Sequence, residues 1–530
     1  MSEQDRHGGE RLSTAIALSR RYPGVASLML GAIAAAGFAP TNLWPLTLIA
    51  FAAWLAIVHA APSLRTALAS GYAFGWGHLA VANRWVAQAF VYQDVMPPWL
   101  GWPAVGLLAL YLAIYPMAAA GLAWRFGREV LPGPAYALAA GAAWIATEWL
   151  RATLFTGYPW PPLATIWLPV LGVAWLAKWV GTYALSGLTV TAAAMLIPLA
   201  RRQWRAATAT GTMIMLLALA GFVTPADPLP QAATNPRLRI VQPDLDQEQR
   251  PRDDYAEQNL RALQADGGAP GAAPRLILWP EVALRYLVEN GYPRPYYWRG
   301  APDMVRARIA AALGRRDLVL TGGDSLRFSP DGKLTGGSNA IFAIDAHGRL
   351  LARYDKRHLV PFGEYLPWRP VLSRLGLDRL VPGDIDFDPG PGPRTITLPG
   401  FGPVGMLVCY EVIFSGEIVD RAHRPALIFN PSNDSWFAQS GPEMHLAQAR
   451  LRAIEEGLPI ARATPTGISA IIDADGRVVA RTGWNVPAAI ETTIPPAHAP
   501  TLFARAGNWL ALITAALLIA AAVAIRRRAR

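Results

Sequence analysis

Cysteine is almost missing from this 530-residue chain, which holds Cys409 and no other. An intramolecular disulfide is therefore impossible, and a zinc site built on several thiolates is excluded as well. Lysine is nearly as scarce: only Lys178, Lys333 and Lys356 occur, and arginine carries the rest of the positive charge. Charge of either sign is thin, at 16% of residues against 53% hydrophobic, with a mean hydropathy of +0.23. That balance points to a membrane protein. A formal net charge of +11 would suit an anionic partner. The basic residues, however, mostly stand in short clusters beside long apolar segments, a placement that membrane topology explains better than nucleic-acid binding.

What the chain has instead is apolar length. Crossing a bilayer takes roughly 20 residues, and segments of that order lie at about 24–40, 43–61, 67–90, 99–124, 135–155, 176–200 and 205–223, with an eighth at about 508–525. Lysine and arginine accumulate on the cytoplasmic side of short connections. With the N-terminal arm and its Arg6, Arg11, Arg20 and Arg21 inside, three connections also fall inside: those carrying Arg65, then Arg125 and Arg128, then Arg201, Arg202 and Arg205. The closing RRRAR run joins them. The connection around Asp94, which has no basic residue, and the whole of 225–505 then fall outside. A cleaved leader is not expected of the first segment, since further spans follow and no small-residue cleavage site is evident. The expected organisation is a cytoplasmic arm at 1–23, a seven-helix transmembrane domain at 24–224, an external domain at 225–505, and a last helix with a basic tail at 506–530.

Between the last two spans the pattern becomes that of a water-soluble domain. LRIVQPD, LILWPE and DLVLTGG alternate with helical patterns near 252–265 and 302–314, and SNAIFAIDAHGRLLARYDK reads as a hairpin about its AHG turn. After a proline-rich stretch come PVGMLVCYE, a helix near 415–424, ALIFNPSND, the helix GPEMHLAQARLRAIEEG and a second hairpin, ISAIIDADGRVVART. This alternation predicts an α/β sandwich of about 260 residues, inserted before the last helix of a polytopic α-helical bundle of about eight spans. No internal repeat is apparent.

Three polar residues stand at strand ends in this domain. Cys409 closes VGMLV, at the strand edge where reacting groups collect in α/β sheets; a helix starting near Ser415 or a nearby cation would favour its thiolate. On its apolar flank alone it reads first as a small buried hydrophobe. Glu281 ends LILWPE beside Trp279 and Pro280, where an aromatic neighbour can raise its pKa toward that of a useful base; a solvated glutamate capping the next segment is the plainer reading. Lys356 follows the strand in RYDKRHLVPFGEYLP, and most lysines are surface solubilisers. Together, a base, a cation and a thiol at three strand ends repair one another's weaknesses: the lysine lowers the thiol pKa and stabilises an oxyanion, and the glutamate carries the proton. Asp434 and His445 are too isolated in the sequence to argue a metal site. In the membrane part, Glu148 and Arg151 lie near the outer end of the fifth span, where interfacial snorkelling competes with a functional role.

These residues resemble the nitrilase superfamily, whose Glu-Lys-Cys triad occurs in this chain order within an αββα sandwich. They are closer still to its membrane branch, the bacterial apolipoprotein N-acyltransferases. WPEVAL, YDKRHLVPFGEYLP, GMLVCYEVIF, NPSNDSWF and GPEMHLAQAR all look like motifs of that family, as does the many-span N-terminal part with a single C-terminal span. The resemblance covers nearly the whole chain. It implies Glu281 as general base, Lys356 as oxyanion stabiliser and Cys409 as nucleophile, with Glu364 supporting the lysine and Tyr410 and Glu411 in the active site. Without it, Glu411 would be a charge at a helix start and Tyr410 packing. The element YPW resembles the family's Phe-Pro-Trp, so Trp160 is expected to line a lipid entrance, and Trp436 to meet substrate. An aromatic residue that the family often has shortly after the first strand is missing, with Arg250 in that neighbourhood. Tyr365, Leu366, Trp368, Val371, Leu372 and Leu375 form either an exposed apolar loop touching the bilayer or a buried connection.

The activity so implied is a two-step transfer. Cys409 takes an acyl chain from the sn-1 ester of a phospholipid as a thioester, and the N-terminal amine of the S-diacylglyceryl cysteine of an apolipoprotein then receives it, the last step of bacterial lipoprotein maturation. The resemblance places the enzyme in the inner membrane, with the 225–505 domain on the periplasmic face and both termini cytoplasmic. The scheme calls for no ATP, metal or coenzyme. Two rivals stand beside it: a membrane-anchored nitrilase-type amidase, for which one anchor would suffice, and a transporter with an extracytoplasmic binding domain, which would carry ionisable residues near the membrane midplane.

Overall fold

The computed structural model describes residues 21–92, 96–127, 132–200, 236–245, 254–297, 299–375 and 386–529. The arm residues Arg6, Arg11 and Arg20, the connection residues Asp94, Arg128, Arg201, Arg202, Arg205 and Arg250, and the expected seventh span at 205–223 lie outside them. The chain divides into two compact units. One takes the residues up to Trp85, Trp102–Pro225 and Arg505–Arg530; the other takes Val86–Gly101 and Ala226–Ala504.

The first unit is helical: α1 (Pro23–Ala34), α2 (Trp44–Ala60), α3 (Leu64–Ala82), α4 (Gly101–Leu112), α5 (Ile114–Gly127), α6 (Pro134–Thr153) and α7 (Ala177–Ala200), with the Trp509–Ala529 helix packed on α6 and α7. Proline opens α1, α2 and α6, where the missing N–H would have had no partner in any case. Small residues let these helices approach closely, because lipid gives apolar side chains little reason to prefer one another. Where α1 crosses α3, a Cβ on Gly31 would stand 2.0 Å from the Phe74 carbonyl oxygen, and one on Gly77 2.1 Å from that of Leu28. Among the described residues, three helical stretches are long and apolar enough to cross a membrane: Pro98–Gly127, Ala177–Pro198 and Trp509–Arg528. Pro23–Gly37 and Trp44–Ala60 are apolar but shorter. The expected third span, 67–90, is interrupted. Helix α3 stops at Ala82, the Asn83 amide folds back onto the Leu79 carbonyl at 2.9 Å, and a 3-10 stretch, Arg84–Val91, follows.

Snorkelling does not describe Glu148 and Arg151, which are buried at 3% and 5% exposure. Arg151 donates to the carbonyls of Trp160 (2.6 Å) and Pro161 (3.2 Å), while Glu148 Oε1 accepts from the Leu163 amide (3.0 Å) and Trp144 Nε1 (3.3 Å). The two charges lie 3.6 Å apart. A loop folded inside a helical bundle exposes backbone groups that water cannot reach, and the pair supplies their partners. The same loop carries Trp160, buried with its ring 4.9 Å from that of Trp85.

The second unit is the sandwich. Strands β1 (Arg237–Gln242), β2 (Arg275–Leu278), β3 (Leu318–Phe328), β4 (Leu334–Asp345) and β5 (Leu350–Asp355) form one sheet with β12 (Ala488–Thr493), in the order β12-β1-β2-β3-β4-β5. Strands β6 (Arg394–Leu398), β7 (Gly402–Met406), β8 (Leu427–Pro431), β9 (Ile460–Ala463), β10 (Ala470–Ile472) and β11 (Val478–Arg481) form the other, in the order β11-β10-β9-β8-β7-β6. The central strands β1–β2–β3 and β7–β8–β9 are parallel, and their nearly unbroken apolar runs reflect burial on both faces. Inward residues such as Leu278, Leu320, Met406, Phe429 and Ala461 fill the space between the sheets. Helices α8 (Tyr255–Asp266) and α9 (Pro302–Ala311) cover the outer face of the first sheet through Leu260, Leu263, Val305 and Ile309, and α10 (Ser440–Glu456) packs on β9 and β10. Gln242, the last residue of β1, joins the layers. Its Nε2 donates to the carbonyls of Gly483 (2.9 Å) and Val486 (2.8 Å), and its Oε1 accepts from Thr482 Oγ1 (2.6 Å) and the Ser469 amide (3.1 Å).

One expected element is absent. In place of the helix read near 415–424, a turn and bends follow a 3-10 turn over Cys409–Ile413. Gly416 takes φ 80°, Asp420 caps the amides of Ala422 and His423, and Pro425 follows, so local turn chemistry outcompetes the helical pattern.

Candidate active site

The geometry begins at three strand ends. Past β2, Trp279 and Pro280 carry the chain to Glu281, and Val282 then takes φ 47°, a left-handed value rare for a β-branched residue. Gly322 on β3 makes room for this turn: a Cβ there would stand 2.6 Å from the Val282 nitrogen and 2.7 Å from Glu281 Cα. Lys356 is the first residue after β5, its amide donating to the Asn339 carbonyl on β4 at 2.9 Å. Cys409 follows β7 by way of Leu407 and Val408, and itself takes φ 49°. A left-handed conformation costs a residue with a Cβ about 1–2 kcal/mol, so the surroundings must hold it.

The structure brings Glu281, Lys356, Glu364 and Cys409 into one buried cluster. Lys356 Nζ lies 2.9 Å from Glu364 Oε1 and 3.4 Å from Glu281 Oε1. Asn339, which the sequence reading passed over, spans both carboxylates: its Nδ2 donates to Glu281 Oε1 at 2.7 Å and to Glu364 Oε1 at 2.9 Å. The second Glu364 oxygen accepts from the Val360 amide at 2.8 Å, which fixes the PFGEY turn. Glu281 Oε2 finds no nitrogen or oxygen donor among the described residues. The group facing this carboxylate is the Cys409 thiol, which interacts with it.

Burial and charge set the protonation of the cluster. Burial pushes Glu281 above the usual carboxylate range, against the pull of Lys356. Burial likewise pushes the Cys409 thiol up, reinforced by the Glu281 charge and opposed by Lys356. For Lys356 burial works against the ammonium, but the carboxylates of Glu364 and Glu281 outweigh it and hold the group above its ordinary value, hence charged. The resting site is therefore a neutral thiol facing a carboxylate of raised basicity, with a fixed cation beside both.

Glu411 is engaged by backbone amides on both oxygens. Buried at 2% exposure, it accepts from the Arg357 amide (2.9 Å) and Tyr354 Oη (2.8 Å) on one oxygen and from the Val408 amide (2.6 Å) on the other. It thus clamps the backbone after Lys356 to the backbone before Cys409. Tyr410 is half-buried, its ring edge-on to Phe414 at 5.2 Å. Trp436 is half-buried with its ring 6.1 Å from that of Tyr92, a residue of the Val86–Gly101 segment. In the loop after Glu364, Leu366 is buried whereas Trp368 and Val371 are exposed.

Behind Cys409 lies a second buried group that the sequence did not reveal. Asp434 and His445, read as isolated, lie with Cys409 so that one ligating atom of each falls within 4.8 Å of the others. The spacing would suit a cation, but Arg462 already supplies one. Its Nη2 pairs with Asp434 Oδ2, and its Nη1 donates to Asn430 Oδ1 (3.1 Å) and Ser432 Oγ (2.9 Å). His445 Nδ1 faces Asp434 Oδ1 at 2.8 Å, and Nε2 faces the Cys409 carbonyl at 3.2 Å. Chain folding from β8 to β9 through α10 creates this proximity, which no sequence spacing advertises.

Comparison with known proteins agrees with this architecture. Residues 30–195 match the family model described as apolipoprotein N-acyltransferase N-terminal domain, and residues 237–499 match carbon-nitrogen hydrolase. The apolipoprotein N-acyltransferase of Rhodopseudomonas palustris is 34% identical over 519 residues, covering 93% of this chain and 94% of that protein. That of Bradyrhizobium diazoefficiens is 33% identical over 527 residues, covering 95% and 94%. Among solved structures, a mutant of the Nesterenkonia AN1 amidase from the nitrilase superfamily is 20% identical and covers 50% of this chain and 93% of its own, with a TM-score of 0.31. With relatives of this identity along nearly its entire length, the chain belongs to the apolipoprotein N-acyltransferase family.

Proposed function

We propose that this membrane enzyme N-acylates apolipoproteins through a thioester on Cys409, with a phospholipid as acyl donor. The observation that carries the mechanism is the buried cluster itself: a thiol, a carboxylate with one uncommitted oxygen, and a cation locked between two carboxylates. In the first step Glu281 takes the thiol proton and the sulfur attacks the sn-1 ester carbonyl. Lys356 stabilises the oxyanion, and the protonated Glu281 returns its proton to the departing lysophospholipid oxygen. In the second step Glu281 takes a proton from the α-amine of the diacylglyceryl cysteine, the amine attacks the thioester, and the sulfur leaves and is reprotonated as the amide forms. Glu364 and Asn339 hold Lys356 and Glu281 in register. Trp160 lines the lipid entrance and Trp436 meets substrate in this reading.

The proposed setting is the bacterial inner membrane, with domains at 24–224 and 225–505, the latter periplasmic, the 506–530 helix returning the chain, and both termini cytoplasmic. The placement of Arg65, Arg125 and the final arginine run supports it. The test is acyl-enzyme formation with radiolabelled phospholipid, followed by mass analysis of products with a diacylated lipopeptide. Wild type should form a labelled thioester and an N-acylated lipopeptide, and Cys409→Ala should form neither. Label retained in Cys409→Ala would sink the assignment, and release of free fatty acid in place of the lipopeptide would point to a hydrolase.

A further inference from the structure

The Cys409 carbonyl is held from behind by groups with no part in the chemistry above. His445, on α10, places Nε2 3.2 Å from that oxygen, and Asn430, on β8, places Nδ2 3.4 Å from it. A carbonyl can only accept, so His445 Nε2 carries a proton. The other nitrogen, Nδ1, lies 2.8 Å from Asp434 Oδ1 and 3.0 Å from Arg462 Nη2; it bonds the carboxylate as N–H or the guanidinium through its lone pair, so the Asp434–Arg462 ion pair fixes it either way, and Arg462 in turn holds Asn430. Asp434, His445, Asn430 and Arg462 are all buried, at 0% or 1% exposure. They converge on one peptide group, that of a residue in a left-handed conformation. A rotation of this peptide would swing the thiol away from Glu281.

We infer that His445 is a positioning residue for the nucleophile: through its Nε2–H it holds the Cys409 peptide so that the thiol stays against Glu281, with Asp434 and Arg462 fixing the ring. The inference rests on Cys409 being the acyl carrier, but it is tested by a readout that does not depend on that. Cys409 is the sole cysteine, so iodoacetamide alkylation of the full-length protein in detergent reports the placement and ionisation of this thiol alone.

Two substitutions separate positioning from packing. Glutamine extends an amide N–H to about the place of Nε2, whereas asparagine reaches only the place of Nδ1, keeping a partner for the Asp434–Arg462 pair and losing the Cys409 carbonyl. His445→Asn should slow both alkylation and phospholipid acylation by about tenfold or more, while His445→Gln should restore most of both rates, with the KM for phospholipid unchanged in each. Equal rates in the two variants would overturn the inference. So would a His445→Gln protein that does not fold, since His445 would then be a packing residue. If instead Cys409→Ala still takes label from phospholipid, it is the assignment of the nucleophile that fails, and the alkylation contrast still decides the role of His445.

Discussion

At Glu281 one carboxylate oxygen is bound by Asn339 and faces Lys356, and the other is uncommitted. The bound oxygen fixes the group and the free one is available to take a proton. Because burial raises the Glu281 pKa, acyl-enzyme formation should fall as pH is lowered through a midpoint above the ordinary carboxylate range. The sign follows from the need for the unprotonated form, and a stopped pH series of phospholipid labelling measures it. A midpoint at or below the ordinary value would remove Glu281 as the base. Asn339→Leu should be nearly as damaging as loss of the lysine, because Glu281 and Glu364 would then face each other with one donor fewer; a drop of about 100-fold in labelling is expected. Cys409 and Glu281 were legible because each interrupts an apolar strand pattern at its end, and Lys356 because it follows a strand and is one of three lysines in the chain. Asn339 left a fainter mark, a polar residue at the head of the AIFAID run. Its partners are set by the pairing of β4 with β5 and by a turn 58 positions upstream, which one sequence does not display.

Elements transmit these placements. Gly322 belongs to β3, yet its missing side chain shapes the turn after β2. Gly322→Ala should displace Glu281 and lower labelling at least about tenfold while leaving the circular dichroism spectrum unchanged; full activity would refute the contact. Helix α10 carries a different load. Its last residue, Glu456, is buried, and burial together with Glu455 pushes its pKa up to about 7. The folded state therefore keeps a proton that the unfolded chain releases between the ordinary carboxylate range and pH 7, so stability declines as pH rises through that window. Glu456→Gln should flatten the decline and gain roughly 3 kcal/mol above pH 8, with little change near pH 4; thermal melts at the two pH values decide it. The hairpins and the α8, α9 and α10 patterns were readable from periodicity, whereas the 415–424 segment was not. Its apolar and charged residues mimic a helix, but Gly416, Asp420 and Pro425 each favour a turn.

For the whole molecule, the first unit is a helical bundle with a buried Glu148–Arg151 pair that secures the Trp160 loop. Removing one partner of such a pair strands the other, at a cost of about 3–5 kcal/mol. Glu148→Leu and Arg151→Leu should each lower the melting temperature in detergent clearly, and the double variant should lower it by less than the sum. Additive losses would mean that the two charges act separately. The apolar segments were legible because bilayer thickness dictates their length, but their number was less so, since helices such as Leu64–Ala82 and Pro134–Thr153 mix polar side chains into otherwise apolar faces. In the second unit the pairing of β1 with β12 has a consequence for biosynthesis. Arg237 sits opposite Thr493, and 493 − 237 = 256 positions separate them. As the chain leaves the ribosome, β1 is made early but keeps one edge unsatisfied until β12 arrives, only 509 − 493 = 16 positions before the Trp509–Ala529 helix begins. Translation must be nearly finished before this domain can close, and until then the exposed strand is a natural client for a chaperone.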